Sequence, residues 1–348
     1  MTVLVTGSTG YVGSRLVPLL LDRGLQVRTT TSSPDRSQPW WSDRTETVVM
    51  DALDPDDVAA ACKGVDTVYY LIHGMGGADF EDTDQQAASN FADAVTKHDV
   101  QRVVYLSGVV PDVPDEELSD HIRSRRDVER ILTDTSACVV VLRAAVLIGS
   151  GSTSFEIIRQ VSERMPVHTV PTWMDSMVQP IAVVDALAAL VGALDYDGPS
   201  RHFDVGGPDR LRYGALLDAF TTHAGMKRPQ VEVPLLPTAL VGKLVAGLTD
   251  VPRPTVEALV ESLRHDMVAA DDDFRSALLP DGHRLVALGE AFSRSLAESS
   301  GPPEGVDPMG PLPQDPLWAD GGDKDERPVL ARALDTVRRA IPGAITSR

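Results

Sequence analysis

A glycine-rich turn near the N-terminus carries the clearest chemical signal in the sequence. From Thr6 the chain reads Thr-Gly-Ser-Thr-Gly-Tyr-Val-Gly, a G-x-x-G-x-x-G pattern at Gly7, Gly10 and Gly13. In such a turn the first glycine permits a tight bend, the second lets the backbone approach a pyrophosphate, and the third allows close helix–strand contact. Backbone N–H groups and the helix dipole then face the anion. The pattern predicts a dinucleotide site built from Gly7, Ser8, Thr9, Gly10, Tyr11, Val12 and Gly13.

A histidine stands where the ligand crevice is expected to continue. His73 ends an apolar run and leads into a stretch that contains three glycines, 74–77. A polar ring among glycines at the carboxyl end of a strand is typical of the ligand crevice of an open α/β sheet. A histidine that bonds only to loop carbonyls is the alternative, and the sequence leaves both open.

Other catalytic classes find no support in the sequence. None of the eight histidines forms a His-x-His or His-x-x-x-His pair, and only Cys62 and Cys138 are present. These spacings predict no metal site. The acidic run Asp271–Asp273 is interpreted as a solvated turn, because consecutive carboxylates need not converge on one ion. No Gly-x-Ser-x-Gly elbow indicates a hydrolase.

The elements that must position these residues alternate between strand and helix up to about residue 205. Predicted strands are Thr2–Thr6, Gln26–Thr31, Thr45–Met50, Thr67–Ile72, Arg102–Ser107, Ala137–Leu147 and His202–Val205. Predicted helices are Tyr11–Asp22, Pro55–Cys62, Gln85–His98, Ser119–Asp134, Phe155–Glu163 and Val184–Leu194. The strands are apolar at consecutive positions, which indicates cover on both faces. The pattern predicts an α/β fold with a doubly wound parallel sheet.

The pattern changes after residue 208. Further helices are predicted at Tyr213–Ala224, Thr238–Leu248, Thr255–Leu263 and Leu285–Glu298. We therefore expect a nucleotide-binding domain over residues 1–208 and a smaller, mostly helical substrate-side lobe over residues 209–300. Residues 301–348 form a Pro/Gly-rich tail, in which we expect Gly301–Asp325 to be extended and Val329–Ala340 to be a docked helix.

Composition excludes several protein classes. The 348 residues are 43% hydrophobic and 24% charged, which is globular rather than disordered composition. The net charge of -19 argues against nucleic-acid binding. Two cysteines favour a reducing cytoplasm, the first strand leaves no room for a leader, and no apolar run reaches the roughly 18–20 residues that span a bilayer. We expect a cytoplasmic protein with a small-molecule substrate or a regulatory partner; the oligomeric state stays open.

Several strings together resemble the atypical, NmrA-like group of the short-chain dehydrogenase/reductase superfamily. Besides the glycine turn, they are residues 66–76, 119–125, 142–152 and 179–182. The glycine turn is specific for the superfamily, and the later strings are similar to a bacterial subgroup. The resemblance covers roughly residues 1–300 and implies a Rossmann-type fold with a bound NAD(P) cofactor.

The same resemblance places cofactor contacts beyond the glycine turn. It implies that Asp51 and Ala52 lie against the adenine, with a cap of the helix at Pro55 as the alternative role of Asp51. It also implies that Leu71, Ile72 and His73 lie beside the cofactor. Residues 29–33 contain no acid to bind ribose hydroxyls, so NADP is favoured over NAD. The residues expected to hold a 2′-phosphate are Ser32, Ser33 and either Arg28 or Arg36.

The resemblance also identifies catalytic candidates. The Tyr-x-x-x-Lys pair of short-chain reductases is replaced here by His121-x-x-x-Arg125, and no tyrosine lies between Tyr105 and Tyr196. His121 is the expected proton donor, Arg125 the expected ribose-orienting group, and Ser107 stands where the family has its substrate-polarising serine. The expected substrate contacts are His73, Met75, Trp173 and Met174.

Three functions remain open from the sequence. The first is hydride transfer to or from a small carbonyl, alcohol or quinone-like substrate. The second is a catalytically inactive, nucleotide-dependent regulator or scaffold of the NmrA type. The third is a sugar-nucleotide epimerase, which the missing tyrosine disfavours.

Overall fold

The computed structural model describes residues 1–33, 39–74, 80–234, 236–298 and 304–320. Its strands, numbered along the chain, are β1 (Thr2–Val5), β2 (Gln26–Thr31), β3 (Glu46–Val49), β4 (Thr67–Tyr70), β5 (Arg102–Gly108), β6 (Cys138–Ala144), β7 (Val146–Ile148), β8 (His168–Pro171), β9 (Met177–Val178), β10 (Pro180–Ala182), β11 (Arg201–Val205), β12 (Leu211–Arg212) and β13 (Gln230–Val233).

Helices lie between these strands and continue after them. They are α1 (Tyr11–Asp22), α2 (Pro55–Cys62), α3 (Phe80–Lys97), α4 (Asp120–Thr133), α5 (Thr153–Arg164), α6 (Val183–Gly192), α7 (Tyr213–His223), α8 (Thr238–Leu248), α9 (Arg253–Ser262), α10 (Phe274–Leu278) and α11 (Leu288–Ser295). The predicted start of α4 is confirmed, because the Ser119 hydroxyl accepts a hydrogen bond from the Ile122 amide at 3.4 Å.

A seven-stranded parallel sheet forms the centre of the molecule, in the order β11-β6-β5-β4-β1-β2-β3. Every neighbouring pair in it is parallel, which confirms the predicted doubly wound α/β fold. Val3, Leu4 and Val5 are fully buried because helices cover both faces of the sheet. The strand order reverses between β1 and β4, and ligands of open α/β sheets bind outside the carboxyl ends of the strands at such a point.

The apolar run predicted as one strand, Ala137–Leu147, is two strands in the structure. It breaks at Ala145, after which β7 leaves the central sheet and pairs in parallel with β10. Hydrophobicity alone does not mark this break, because both halves are largely buried. The short strands β8, β9, β12 and β13 are also absent from the prediction, since their two to four residues carry little periodicity.

The second part of the chain covers the carboxyl edge of the sheet. Strand β13 pairs with β8 and β12 with β9, so strands from both sides of residue 208 are joined. Helices α8 and α9 pack on each other and on α5 through an apolar cluster that includes Ile157, Val241 and Val260. The domain boundary at residue 208 stays a prediction.

The tail differs from its prediction where the structure describes it. Residues 304–320 form turns and a short 3-10 helix, Leu317–Asp320, instead of an extended connector. Met309 is fully buried, and its carbonyl accepts a hydrogen bond from the Ser150 amide at 2.8 Å. Burial of one apolar side chain and a bond to the loop after β7 hold this segment on the body. The predicted helix Val329–Ala340 lies outside the described residues.

Candidate functional site

The glycine turn has the geometry that its spacing predicts. Gly7 has a φ of +60°, and a Cβ atom there would stand 2.8 Å from the Leu71 carbonyl oxygen. A Cβ on Gly13 would collide with the Gly7 carbonyl oxygen. Both positions therefore require glycine, the first for backbone conformation and close approach to the end of β4, the second for helix–strand contact.

The residues between these glycines leave the start of helix α1 open for an anion. Gly10 is the N-cap of α1, and no side chain caps its first amides. Ser8 is buried and donates to the Thr30 carbonyl at 3.1 Å, which ties the turn to the end of β2. Thr9 completes the turn. An uncapped twelve-residue helix beneath a glycine cradle fits the pyrophosphate of a dinucleotide.

The end of β2 is where a 2′-phosphate of NADP is expected. Ser32 and Ser33 are exposed there, and the Ser33 backbone carbonyl accepts a hydrogen bond from the Thr31 hydroxyl at 2.9 Å. Arg28 does not reach this end. It bonds to Glu46 at 2.9 Å and to the Ala61 and Lys63 carbonyls. Of the two arginines predicted as alternatives for the 2′-phosphate, Arg28 is therefore wrong. Arg36 lies outside the described residues.

The loop after β3 lies where the adenine contact is expected. The Asp51 carboxylate accepts a hydrogen bond from the Leu53 amide at 2.9 Å, and the Ala52 carbonyl accepts one from Asn90 at 2.9 Å. Asp54, and not Asp51, caps helix α2. The alternative role predicted for Asp51, capping helix α2, is therefore filled by Asp54. Asp51 itself is exposed.

A cavity of about 270 Å³ begins at the glycine turn and runs along the carboxyl edge of the sheet. It passes the strand ends at Leu71, His73, Ser107 and Ala144, and it ends between α5 and α9. The glycine turn and the predicted catalytic candidates Ser107, His121 and Arg125 thus line one continuous space, although they come from separate parts of the sequence.

The polar end of this cavity brings together Ser107, His121, Arg125 and His73. The Ser107 hydroxyl is buried beside the Tyr105 side chain and forms no hydrogen bond of regular geometry with the described residues. Arg125 donates to the Leu106 carbonyl at 3.2 Å, and its Nε is buried and unpaired within the same part of the chain. Such unsatisfied polar atoms are uncommon in folded proteins and indicate a place for a ligand.

The two histidines of the cavity are electrically neutral near pH 7. Their ring centroids are 6.5 Å apart. Desolvation and the charge of Arg125 lower the pKa of His121 to about 3. The same causes, together with His121, lower the pKa of His73 well below 6.5, although its ring is open to the cavity. His121 therefore presents a neutral imidazole, which donates a hydrogen bond through one nitrogen and accepts through the other.

Asp84 on helix α3 links the two segments that carry these histidines. It accepts a hydrogen bond from the Gly74 amide at 2.6 Å and another from the Ser124 hydroxyl at 3.0 Å. Gly74 follows His73, and Ser124 lies one helical turn after His121. Burial raises the pKa of Asp84, while both hydrogen bonds oppose that shift. Nothing in the sequence pattern distinguishes Asp84 from the other acids of α3.

Two predicted substrate contacts lie elsewhere. Trp173 donates to the Leu236 carbonyl at 2.7 Å and Met174 is buried in the core, and neither is among the described residues that line the cavity. They pack between the sheet and the α8 region, which is the domain-packing role typical of large apolar residues. Met75 lies outside the described residues.

The far walls of the cavity were not predicted. They consist of apolar side chains that the helical patterns mark only as core-facing: Leu147, Ile157, Ile158, Tyr213, Leu259, Val260, Leu263 and Met267. A core side chain and a cavity-lining side chain have the same periodicity, so no sequence signal separates them. Among the described residues no cluster of His, Cys, Asp and Glu could hold a metal ion. No helix in the described ranges could cross a membrane.

Comparisons with known proteins agree with this geometry. Residues 7–172 match the model of a family described as NAD(P)H-binding. A stretch of 118 residues, 30% of this chain, is 37% identical to 3-beta-hydroxysteroid dehydrogenase of Mycolicibacterium neoaurum and covers 31% of that protein. The match thus spans about a third of this curated relative's length.

Solved structures share the fold at low sequence identity. A short-chain dehydrogenase/reductase superfamily protein from Agrobacterium tumefaciens with bound NAD has a TM-score of 0.61 at 17% identity, over 85% of this chain and 96% of that one. UDP-glucose 4-epimerase of Thermotoga maritima, solved with UDP-glucose, has a TM-score of 0.63 at 15% identity, over 85% and 97%. The chain therefore has the same Rossmann-like α/β fold as these two proteins; the NmrA-like subgroup stays a prediction.

Proposed function

We propose that this chain, whose residues 7–172 match the model of an NAD(P)H-binding family, is an oxidoreductase that interconverts a carbonyl compound and its alcohol. The observation that carries the proposal is the continuity of one cavity from the glycine turn to Ser107, His121 and Arg125. A redox cofactor held at the turn would supply or accept the hydride in that space. Reduction of the carbonyl group would take one hydride from a bound reduced nicotinamide and one proton from solvent, and would leave the alcohol and the oxidised nicotinamide.

The chain's own groups then have separate tasks. Ser107, a buried residue that lines the cavity, donates a hydrogen bond to the substrate oxygen. Arg125 lies on the same helix as His121, one turn later, and its charge orients ribose or phosphate groups. His121 polarises the substrate oxygen as a neutral imidazole. This role replaces the cationic proton donor expected from the sequence, because the lowered pKa removes the imidazolium at neutral pH.

NADP is the proposed cofactor, in preference to NAD. Support comes from the exposed Ser32 and Ser33 at the end of β2 and from the lack of an acid between Thr29 and Ser33. A carboxylate there would repel a 2′-phosphate. The hydroxyls accept and donate hydrogen bonds without that repulsion.

Enzymatic turnover is tested by mixing the full chain with NADPH and each member of a panel of aldehydes, ketones and quinones. The measured quantity is the loss of absorbance of the reduced nicotinamide. We expect at least one panel member to be reduced, and His121→Ala to lower its kcat by roughly 10²-fold. An unchanged rate in that variant removes His121 from the mechanism. Tight NADPH binding without any turnover favours the regulator, whose occupancy would alter a partner interaction.

A further inference from the structure

The part of the cavity beyond Ser107 and His121 has a different chemical character from the part at the glycine turn. Its sides are Ile157 and Ile158 of α5 and Leu259 and Val260 of α9, and Met267 lies at its end. These side chains belong to the same apolar clusters that hold the lobe together. A molecule that enters this space exchanges water for hydrocarbon walls, which favours apolar groups in proportion to the area that they bury.

Five hydroxyl-bearing residues line this region, and two of them, Ser262 and Ser152, are already engaged within the protein; the others are Thr153, Ser154 and Tyr213. Ser262 donates to the Ala258 carbonyl at 3.0 Å and lies 3.3 Å from the Ser119 hydroxyl. Ser152 donates to the Leu147 carbonyl at 2.7 Å and caps helix α5. Because these two hydroxyls already donate hydrogen bonds within the protein, they contribute little hydrogen bonding to a ligand.

The acidic side chains of α9 face away from this part of the cavity. Glu257 and Glu261 line a second cavity of about 330 Å³, together with Lys243 of α8 and Asp120 of α4. Among the described residues that line the first cavity, Arg125 is the one with a permanent charge, and it lies at the cofactor end beside the Leu106 carbonyl. Helix α9 therefore separates a charged cleft from an apolar part of the first cavity that contains no formally charged side chain among the described residues.

From this separation we infer that the substrate is an uncharged ketone or secondary alcohol with a largely apolar body, held between α5 and α9. A nucleotide sugar or a keto acid would place a diphosphate or a carboxylate against hydrocarbon walls that offer no counter-charge, which is strongly unfavourable. The inference rests on the proposed oxidoreductase function and deepens it, because it selects one substrate class and disfavours the epimerase.

The test measures binding as well as turnover. The full chain saturated with NADP is titrated with 2-decalone, an uncharged bicyclic ketone, and separately with pyruvate and UDP-glucose, and the ligand-induced shift of the unfolding temperature is recorded. We expect a concentration-dependent shift with 2-decalone and none with the two anions. A larger shift with UDP-glucose or pyruvate overturns the inference.

A charge placed in the wall locates the binding site. Leu259→Glu introduces a carboxylate into the apolar wall and is expected to weaken 2-decalone binding by at least about 10-fold, with NADP affinity kept. Glu257→Gln, on the charged face of the same helix, is the matched control and should bind 2-decalone as the unaltered chain does. Should Leu259→Glu fail to fold, Leu259→Trp fills the same space without charge and must also weaken binding. Unchanged ketone affinity in a folded Leu259 variant contradicts the site.

The outcomes also separate this inference from the function on which it rests. Binding of 2-decalone without oxidation of NADPH leaves the ligand class standing and removes the oxidoreductase. Reduction of pyruvate, with no effect of 2-decalone, retains the oxidoreductase and removes the apolar substrate.

Discussion

Arg15 and Asp315, which lie 300 positions apart in the chain, form a two-pronged ion pair with N–O distances of 2.6 and 2.8 Å. Both side chains are buried, at 0% and 6% exposure. The same guanidinium bonds to carbonyls of both the tail and the loop after β7, and it stacks on the ring of Tyr11 at 4.1 Å. The tail is therefore fastened to helix α1 directly behind the glycine turn.

Removal of Asp315 should destabilise the fold strongly. Asp315→Ala leaves the Arg15 guanidinium buried with only carbonyl partners, and the loss of one member of a buried pair costs about 3–5 kcal/mol. Chemical unfolding followed by circular dichroism measures this loss. The control is Asp195→Ala, which breaks the exposed pair with Arg23 at 39% and 67% exposure and should cost less than about 1 kcal/mol. Equal losses in both variants contradict the role of burial.

Truncation of the tail should lower the stability of the fold and leave the cofactor site in place. A chain that ends before Glu304 loses Met309 from the core as well as the Arg15 pair. We expect a lower unfolding temperature. Because no residue of 304–320 is among the described residues that line the cavity, we also expect nearly unchanged NADPH affinity when the truncated chain is folded. A large loss of affinity in the folded, truncated chain shows that the tail contributes to the cofactor site.

The third glycine of the turn should be indispensable for nucleotide binding. Gly13→Ala places a Cβ against the Gly7 carbonyl and pushes the turn away from helix α1, so NADPH affinity should fall by at least about 10-fold. Gly289→Ala is the matched control, because a Cβ at that helical position meets nothing within 4 Å. Fluorescence titration with NADPH compares the two variants, and equal affinities contradict the proposed cradle.

Acid should destabilise the protein through His121. Its pKa is lowered from 6.5 to about 3 on folding, so the unfolded chain binds more protons between these values and stability falls as pH decreases through them. The slope from this one group reaches about 1.4 kcal/mol per pH unit. As the pH falls, the unaltered chain should therefore lose more unfolding free energy than the His121→Gln variant loses.

Measurement at about pH 8, where the imidazole is neutral in both states, isolates the packing effect of that substitution. The difference between the two proteins must change between pH 8 and pH 4. A constant difference shows that the pKa of His121 is not shifted by folding.

Asp84 should act by positioning, since it is not among the described residues that line the cavity. Asp84→Ala leaves the Gly74 amide and the Ser124 hydroxyl without their partner. We expect the NMR signals of the His73 and His121 rings to shift. Asp84→Asn keeps an oxygen for Gly74 and should restore most of the native spectrum. Identical ring signals in Asp84→Ala and the unaltered chain contradict this role.

The sequence predicts best where one physical pattern has one structural meaning. Helices α1, α2 and α8 have the predicted bounds, because apolar spacing marks all three and the Asp54 cap with Pro55 marks the start of α2. The glycine turn is equally well determined, since only glycine satisfies its conformation and contacts.

The rest depends on contacts between distant parts of the chain. The apolar wall at Leu259 and the bridge at Asp84 follow from tertiary packing, which gives a residue a role that its neighbours in sequence do not mark. Trp173 shows the reverse case, because an aromatic residue near the expected substrate loop packs between elements instead. The neutral state of His121 likewise arises from burial and from Arg125 in the folded chain.

Calorimetric titration of the full chain with NADPH, and then with NADH, tests most directly whether the glycine turn and the cavity behind it form a cofactor site. We predict saturable binding of NADPH with one molecule per chain and weaker binding of NADH. A preference for NADH contradicts the 2′-phosphate pocket at Ser32 and Ser33. Absence of binding by either nucleotide contradicts the proposed function as a whole.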